Sequence, residues 1–201
     1  PGYSKDSFAD YAAEAVVGAA KMLGGRTMAL FTSLERMQRV IVKARPRLEE
    51  EGISVLGGGN SSRRADLEHF REDENAVLFG SRGFFEGVDI SGPALSCIII
   101  DKLSFPYQND PLLKARAKYL EKMGQNPFNE LFLADVKRTL RQQFGRLIRS
   151  ETDRGFVLVL DQLGGGKRYC NSIIEELPGP QILSDIKLEE IMEFMKERFI
   201  E

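Results

Sequence analysis

The apolar run Ser96-Cys97-Ile98-Ile99-Ile100 is short, nearly unbroken and rich in isoleucine. β-Branched residues favour strands, and a continuous apolar run of this length is typical of a strand buried on both faces of a parallel sheet. Other short apolar runs follow the same pattern along the chain. They predict four further strands, over residues 28–32, 53–56, 76–79 and 156–160.

Amphipathic segments with apolar residues at helical spacing separate these runs. They predict helices over residues 7–23, 34–50, 63–72, 111–123, 128–148 and 188–198. Ser33 and Ser62 suit the N-cap positions of the second and third helices, and Pro46 is expected to bend or end the second helix early. We therefore predict an α/β fold, with a mostly parallel sheet, helices on both faces and a helical C-terminal appendage.

Length and composition suit one domain over residues 1–201, with a core at about 26–177 and helical flanks at 4–23 and 185–199. The formal net charge is −2 and the sequence pI is about 5.7, so a nucleic-acid site would have to be a local cluster of cations. No apolar stretch approaches the ~20 residues that span a bilayer. We expect a cytoplasmic monomer with no membrane partner, and the start at Pro1 without a preceding Met suggests a piece of a longer protein.

The cysteines and the single histidine form no metal-binding motif. Cys97 lies in an apolar run and is expected to be buried, whereas Cys170 lies in a polar stretch, so no disulfide is expected. His69 has no partner motif. We therefore expect no metal site in this chain.

Two glycine-rich stretches invite comparison with a phosphate-binding loop. The stretches are residues 57–61 and 164–168. A Walker A loop needs a glycine ahead of a Gly-Lys-Ser/Thr sequence, whose hydroxyl holds magnesium, and Arg168 cannot supply that hydroxyl. Neither stretch is therefore such a loop. A plain turn is favoured at Gly164–Gly166. At Gly57–Gly59 a turn and a phosphate contact both remain open, because the stretch leads into a helix start with Arg63 and Arg64.

The predicted helix that ends near Arg149 has two contrasting stripes. The apolar stripe consists of Leu133, Val136, Leu140, Phe144 and Leu147. The opposite stripe consists of Arg138, Gln142, Arg146 and Arg149. Since no carboxylate belongs to the second stripe and Gly145 lies beside it, an anion such as phosphate is favoured over a solvated basic face.

Residues 80–92 follow a predicted strand and contain four glycines. Arg82, Glu86 and Asp89 lie in this irregular stretch, which is more charge than a structural turn requires. Residue type and spacing alone do not name the ligand.

Taken together, these segments resemble the second RecA-like domain of superfamily 2 helicases of the DinG and XPD type. Residues 31–33 resemble motif IV, residues 80–92 with their F-E-G-V-D-I-S-G run resemble motif V, and residues 142–149 match the Q-x-x-G-R-x-x-R pattern of motif VI. The resemblance covers roughly residues 26–177. This chain departs from the usual Trp, Pro and Arg of the family at Phe85, Ser104 and Leu163.

The resemblance implies that ATP and Mg²⁺ bind between this domain and a first RecA-like domain, whose Walker motifs this sequence lacks. Arg149 and Arg146 would reach the γ-phosphate, and Gln142 would help to position it. Glu86, Gly87 and Asp89 would link the nucleotide to the nucleic acid. The implied contacts with single-stranded DNA are Thr32, Ser33, Arg63, Ser81, Arg82 and Phe85.

The sequence thus predicts the second motor domain of an ATP-dependent DNA helicase, inactive as an isolated chain, whose partners are the first RecA-like domain and single-stranded DNA. A standalone nucleic-acid or nucleotide-binding module without ATPase activity is the alternative. A phosphate-binding α/β regulator would leave the face of Arg146 and Arg149 unexplained. Whether the parent protein has an iron–sulfur cluster or an exonuclease domain is not encoded in these residues.

Overall fold

The computed structural model describes residues 5–59, 61–81, 95–107, 109–148, 154–161, 168–177, 183 and 186–199. Its strands form one parallel sheet in the order β2-β3-β1-β4-β5. The strands are β1 Thr27–Phe31, β2 Ser54–Leu56, β3 Ala76–Ser81, β4 Cys97–Ile100 and β5 Phe156–Val159.

The helices of the described residues lie between and around these strands. They are α1 Lys5–Leu23, α2 Leu34–Glu49, α3 Arg63–Glu72, α4 Pro111–Lys122, α5 Ala134–Leu147, α6 Arg168–Ile174 and α7 Leu188–Phe199. A π-helical turn, Phe128–Leu133, leads directly into α5.

β1 lies at the centre of the sheet and pairs with β3 on one side and β4 on the other. From β1 the chain steps outward through α2 to the edge strand β2, returns through α3 to β3, and crosses to β4 on the far side. The connections that leave β1 and β4 therefore run in opposite directions. In open α/β sheets a crevice forms at such a switch point, outside the carboxyl ends of the two strands.

Alternate side chains of the strands enter two hydrophobic cores, one on each face of the sheet. Ala29 and Phe31 of β1 join the core under α1, α2 and α7, whereas Met28 and Leu30 join the core under α3, α5 and α6. Crossovers of the same hand place α2 and α3 on opposite faces, because one connection runs outward across the sheet and the next runs back.

The five predicted strands and six predicted helices are confirmed, with differences of one or two residues at their ends. The structure departs from the prediction in two places. Residues 128–133, predicted as the start of an α-helix, are π-helical, and α6 was not predicted. The N-caps are also confirmed, since Ser33 Oγ accepts from the Arg36 N–H and Ser62 Oγ accepts from the Ala65 N–H.

Pro46 was expected to bend α2 or end it early, and the early end is wrong, because the helix continues to Glu49. Pro46 lies on the solvent side, and Val42, whose carbonyl loses its helical donor, is 71% exposed. Water can hydrate that carbonyl, which reduces the cost of proline inside the helix.

The C-terminal helix packs back on the domain. Met195 of α7 is 1% exposed in the core shared with α1, and a Cβ on Gly18 would lie 2.8 Å from Met192 Sδ. Cys97 and Cys170 are both buried free thiols. Among the described helices, none is long and apolar enough to cross a membrane.

Gly57 turns the chain sharply after β2. Its φ is +84°, and a Cβ there would lie 2.0 Å from the Phe79 carbonyl oxygen of the neighbouring strand. Both the left-handed backbone and the close approach require glycine. The structure thus gives the glycines after β2 a backbone role.

Gly57→Ala should reduce the free energy of unfolding by more than about 3 kcal/mol, because left-handed strain and a backbone clash add together. Gly52→Ala is the matched control, since Gly52 has a φ of +71° but, its chain neighbours apart, no described atom lies within 4 Å of its Cβ position. It should cost only about 1 kcal/mol. Urea unfolding measures both, and equal losses would contradict the close approach at Gly57.

Candidate functional site

The carboxyl edge of the sheet gathers the described residues that were predicted to face nucleic acid. Thr32 follows β1 and is exposed. Ser81 ends β3, is half-buried and pairs in the strand register with Phe31, the residue before Thr32. Ser33 caps α2, and Arg63 begins α3 on the exposed surface. Each lies at or after the carboxyl end of a strand, so all four lie along one edge.

A buried carboxylate fixes the first part of this edge. Asp101 directly follows β4 and is 1% exposed. Its Oδ1 accepts from the Thr32 N–H at 2.9 Å, and its Oδ2 accepts from the Thr32 hydroxyl at 3.2 Å. The Arg36 guanidinium donates to the same Oδ2 at 2.7 Å. Asp101 therefore sets the position of Thr32 through both its backbone and its side chain.

Burial raises the pKa of Asp101, and the Thr32 N–H and Arg36 offset this effect only in part. Arg36 is itself held on two sides, since its guanidinium lies 5.0 Å from the Phe8 ring centroid. Asp101 is buried whereas the Arg36 side chain is 33% exposed, and the cost of desolvating the carboxylate offsets much of what such a pair contributes to stability. The pair therefore holds the residues that follow β1 in one arrangement.

A pocket lies at the switch point between the ends of β1 and β4, with α5 as its wall. Thr32 and Asp101 line it from the sheet, and Thr139 and Gln143 line it from α5. Gln143 is 6% exposed, and its Oε1 has no hydrogen-bond partner among the described residues. The pocket thus combines a hydroxyl, a carboxylate and an amide oxygen in the crevice that the topology creates.

The predicted apolar stripe of α5 is confirmed by its burial. Leu133, Val136, Leu140 and Leu147 are at most 6% exposed, and all belong to the core beneath the helix. Phe144 is only half-buried. The burial fixes the rotation of α5 about its axis, so the opposite stripe points away from the sheet.

On that opposite stripe Gln142 and Arg138 are exposed, and Arg146 lies within α5. The stripe itself contains no carboxylate, but Arg138 is not unpaired, because it forms an ion pair with Asp135. Asp135 lies one turn earlier on the same helix, where side chains three residues apart are neighbours. Gly145 is exposed, with no described atom within 4 Å of its Cβ position.

The end of α5 lies at the opposite edge of the sheet from Thr32. A Cβ on Gly155, just before β5 begins, would lie 2.6 Å from Leu147 Cγ. Leu147 therefore sits beside the amino end of β5, while Gln143 reaches the pocket at the carboxyl ends. The structure brings the strand-facing candidates together and separates them from the last turn of α5.

Several predicted site residues lie outside the described residues. These are Arg82, Phe85, Glu86, Gly87, Asp89 and Arg149. The turn expected at Gly164–Gly166 also lies outside them. Within the described part of the chain, no group of three His, Cys, Asp or Glu side chains could hold a metal ion.

Sequence reasoning missed Asp101 and Gln143. The sequence does contain a signal for Asp101. An acidic residue that directly follows a buried strand lies at the carboxyl edge of the sheet, where ligand-binding polar groups collect. For Gln143 the signal is its place on the helix, between the polar stripe and the apolar one. In the Q-x-x-G-R-x-x-R pattern the neighbouring Gln142 takes the glutamine position, and Gln143 has no assigned role.

Asp101→Asn removes a penalised charge and keeps an oxygen that can accept from the Thr32 N–H. We expect its free energy of unfolding at pH 7 to stay within about 1 kcal/mol of the parent. Folding raises the pKa of Asp101 above its unfolded value of 3.8. The parent therefore loses stability as the pH rises from the unfolded pKa through the folded pKa, whereas the variant has no carboxyl group here and keeps its stability. The variant should therefore gain stability relative to the parent across this window, as measured by urea unfolding.

Asp101→Ala is the comparison, because it also leaves the Thr32 N–H without its acceptor. It should cost about 1–3 kcal/mol at pH 7. If the Asn variant lost as much as the Ala variant, the charge itself would be the stabilising feature.

The chain matches the helicase C-terminal domain family over residues 16–180. It is 36% identical over 174 residues to the ATP-dependent DNA helicase YoaA of Haemophilus influenzae, covering 87% of this chain and 26% of that protein. It is 37% identical over 155 residues to the ATP-dependent helicase DinG of Mycobacterium tuberculosis, covering 77% and 23%. The chain spans about a quarter of the length of these relatives.

Among solved structures, an XPD helicase superposes with a TM-score of 0.64 and 20% identity, covering 90% of this chain and 32% of that chain. A structure of apo XPD gives a TM-score of 0.62 with 22% identity, covering 90% and 36%. These likenesses confirm the RecA-like α/β fold. The chain belongs to the helicase C-terminal domain family, and it is similar in sequence to YoaA and DinG and in fold to XPD.

Proposed function

We propose that this chain is the second motor domain of an ATP-dependent DNA helicase. In this role it supplies Arg146 and Arg149 to ATP bound on a first motor domain, and it forms part of the track for single-stranded DNA. The names of the relatives support the activity, since YoaA and DinG are ATP-dependent helicases. The family match supports the place of this chain in the C-terminal half of such a motor.

The rotation of α5 is the observation that carries the proposal. Val136 and Leu140 are buried against the sheet, so the helix positions opposite them, which include Gln142, lie on the side away from it. Gln142 is exposed there. Guanidinium groups on an outward face can approach a phosphate held by another domain, and their planar donors match phosphate oxygens.

The residues present fit the triphosphate rather than its metal ion. Gln142 offers an amide and the arginines offer cations, which are groups that contact phosphate oxygens. Mg²⁺ and the phosphate-gripping loop belong, in this proposal, to the first motor domain. When bound, ATP supplies the scissile phosphoryl group, and this chain's guanidinium groups stabilise the negative charge that develops on it.

The nucleic-acid track is assigned to the carboxyl edge of the sheet. The hydroxyls of Thr32, Ser33 and Ser81 and the guanidinium of Arg63 are groups that commonly contact the phosphate backbone. Asp101 does not repel the strand at this edge as a free acid would, because it is buried and paired with Arg36. Contacts of this kind hold a strand without reading its sequence.

In the full-length enzyme, Arg149→Ala should reduce DNA-stimulated ATP hydrolysis by about 10³-fold or more, because the guanidinium meets the γ-phosphate mainly in the transition state. Folding and single-strand binding should change little. Arg149→Lys should fail almost as badly, since an ammonium group cannot reproduce the planar fork. Steady-state phosphate release measures the rate.

Arg138→Ala is the matched control on the same stripe. Arg138 is paired with Asp135, so its loss should leave hydrolysis near the parent rate. Near-normal ATPase activity in Arg149→Ala, or equal damage from Arg138→Ala, would show that this face does not serve the γ-phosphate. The result would then favour a binding module without ATPase activity.

The isolated chain should fold but should neither hydrolyse ATP nor unwind duplex DNA. The reason is that its sequence contains no Walker A loop and no D-E-x-H motif. Phosphate release should equal that of a no-protein control once contaminating ATPases are removed. A rate above that control, lost in Arg149→Ala, would mean that the chain carries a complete active site.

A further inference from the structure

One helix stands apart from the rest of the domain. None of the residues of α4 is buried, whereas every longer helix of the described chain contributes to a core. Leu113, Ala117 and Leu120 are half-buried along its inner side. Its outer side therefore faces solvent along its whole length.

The chain on either side of α4 is firmly held. Phe105 in the connection before the helix stacks on Phe128 in the turn after it, with ring centroids 5.9 Å apart. Tyr169 of α6 packs against both rings, at 5.8 Å and 5.6 Å. Asp110 caps α4 by accepting from the Leu112 and Leu113 N–H groups. The helix thus projects from a rigid base of three aromatic rings.

Two parallel stripes cover the outer side of α4, and together we call them the α4 face. The first stripe contains Lys114, Lys118 and Lys122, which are all exposed and recur every four residues. Such residues lie about 6 Å apart along a helix axis. The second stripe contains Leu112, Tyr119 and Met123, which are 66%, 63% and 62% exposed.

The lysines of the α4 face have no ion-pair partner among the described residues, and the single acid of the helix is Glu121. Elsewhere the surface is different. On α1 and α2 the cations are largely matched, as in the pairs Lys21–Glu51, Lys43–Asp10 and Arg47–Glu14. Among the described helices, α4 thus combines three unmatched lysines with an exposed aromatic ring and two exposed large apolar side chains.

We propose that the α4 face is a second contact surface for single-stranded DNA. The lysine ammonium groups bind successive phosphates, and Tyr119 stacks on a base. The proposal rests on the nucleic-acid role given above and adds a surface outside the edge that contains Thr32 and Ser81. A protein partner fits less well, because the centres of protein interfaces are depleted in lysine. Duplex DNA fits less well because its bases are already stacked on one another.

The test measures binding of the whole chain to fluorescein-labelled oligothymidylate by fluorescence anisotropy over a range of salt concentrations. Lys118→Gln with Lys122→Gln should weaken binding about tenfold at low salt and reduce the slope of log K against log salt by about 1.4, the value for two phosphate contacts on a single strand. Because α4 has no buried residue, the thermal unfolding of the variant should match that of the parent.

Lys187→Gln with Lys196→Gln is the matched control. Both lysines are exposed, neither has an ion-pair partner among the described residues, and the change in net charge is the same. This variant should keep the parent's salt slope. An equal loss in both double variants would mean that general charge, rather than the α4 face, controls binding, and the proposal would be wrong.

Tyr119 tests the stacking contact separately. Tyr119→Ala should weaken binding about fivefold or more, whereas Tyr119→Phe keeps the ring and should bind like the parent. Unchanged binding in every α4 variant, or no binding by the parent chain at low salt, would overturn the proposal. Light scattering that shows self-association lost in Tyr119→Ala would instead make this face a contact between copies. The helicase proposal is judged independently, by ATP hydrolysis in the Arg149 variants.

Discussion

The carboxylate of Asp101 joins the ends of the two central strands. The connections after β1 and β4 run in opposite directions, and the last ladder bond between these strands is the one that the Asp101 N–H donates to the Leu30 carbonyl at 2.9 Å. Asp101 supplies an acceptor for the Thr32 N–H at this point, and Arg36 balances the charge. The Leu103 N–H in turn donates to Asp161, which follows β5. Two carboxylates thus hold the connections that form the candidate nucleic-acid edge and lead to α4.

Most of the fold was predictable because buried parallel strands leave an unambiguous pattern. Residues 97–100 are apolar on both faces because both faces are covered, and the shortness of the run and its three isoleucines favour a strand over a helix. Helix starts were also predictable, since a serine at the N-cap satisfies donors that the helix leaves free. α6 escaped prediction because its seven residues are too few to establish a helical period.

The candidate site was predictable only where a residue acts through its own chemical type. The outward stripe of α5 could be read from the sequence because helical periodicity fixes it. The hydrogen-bond and ion-pair partners of these side chains could not be predicted in the same way. The pairing of Arg138 with Asp135 depends on rotamers, and the link from Asp101 to Thr32 spans 69 residues of chain. The tolerance of Pro46 similarly depends on which side of α2 faces water.

α5 connects the two parts of the candidate site. Its middle forms a wall of the pocket beside Thr32 and Asp101, and its last turn lies beside the amino end of β5. Between them Gln143 keeps a buried oxygen without a partner among the described residues, an arrangement that costs about 1–3 kcal/mol. Val136, Leu140 and Leu147 bind the helix tightly to the sheet, so α5 moves as a unit with it. Under the proposed function, the helix that presents arginines to ATP is therefore the same rigid element that shapes the edge facing the DNA strand.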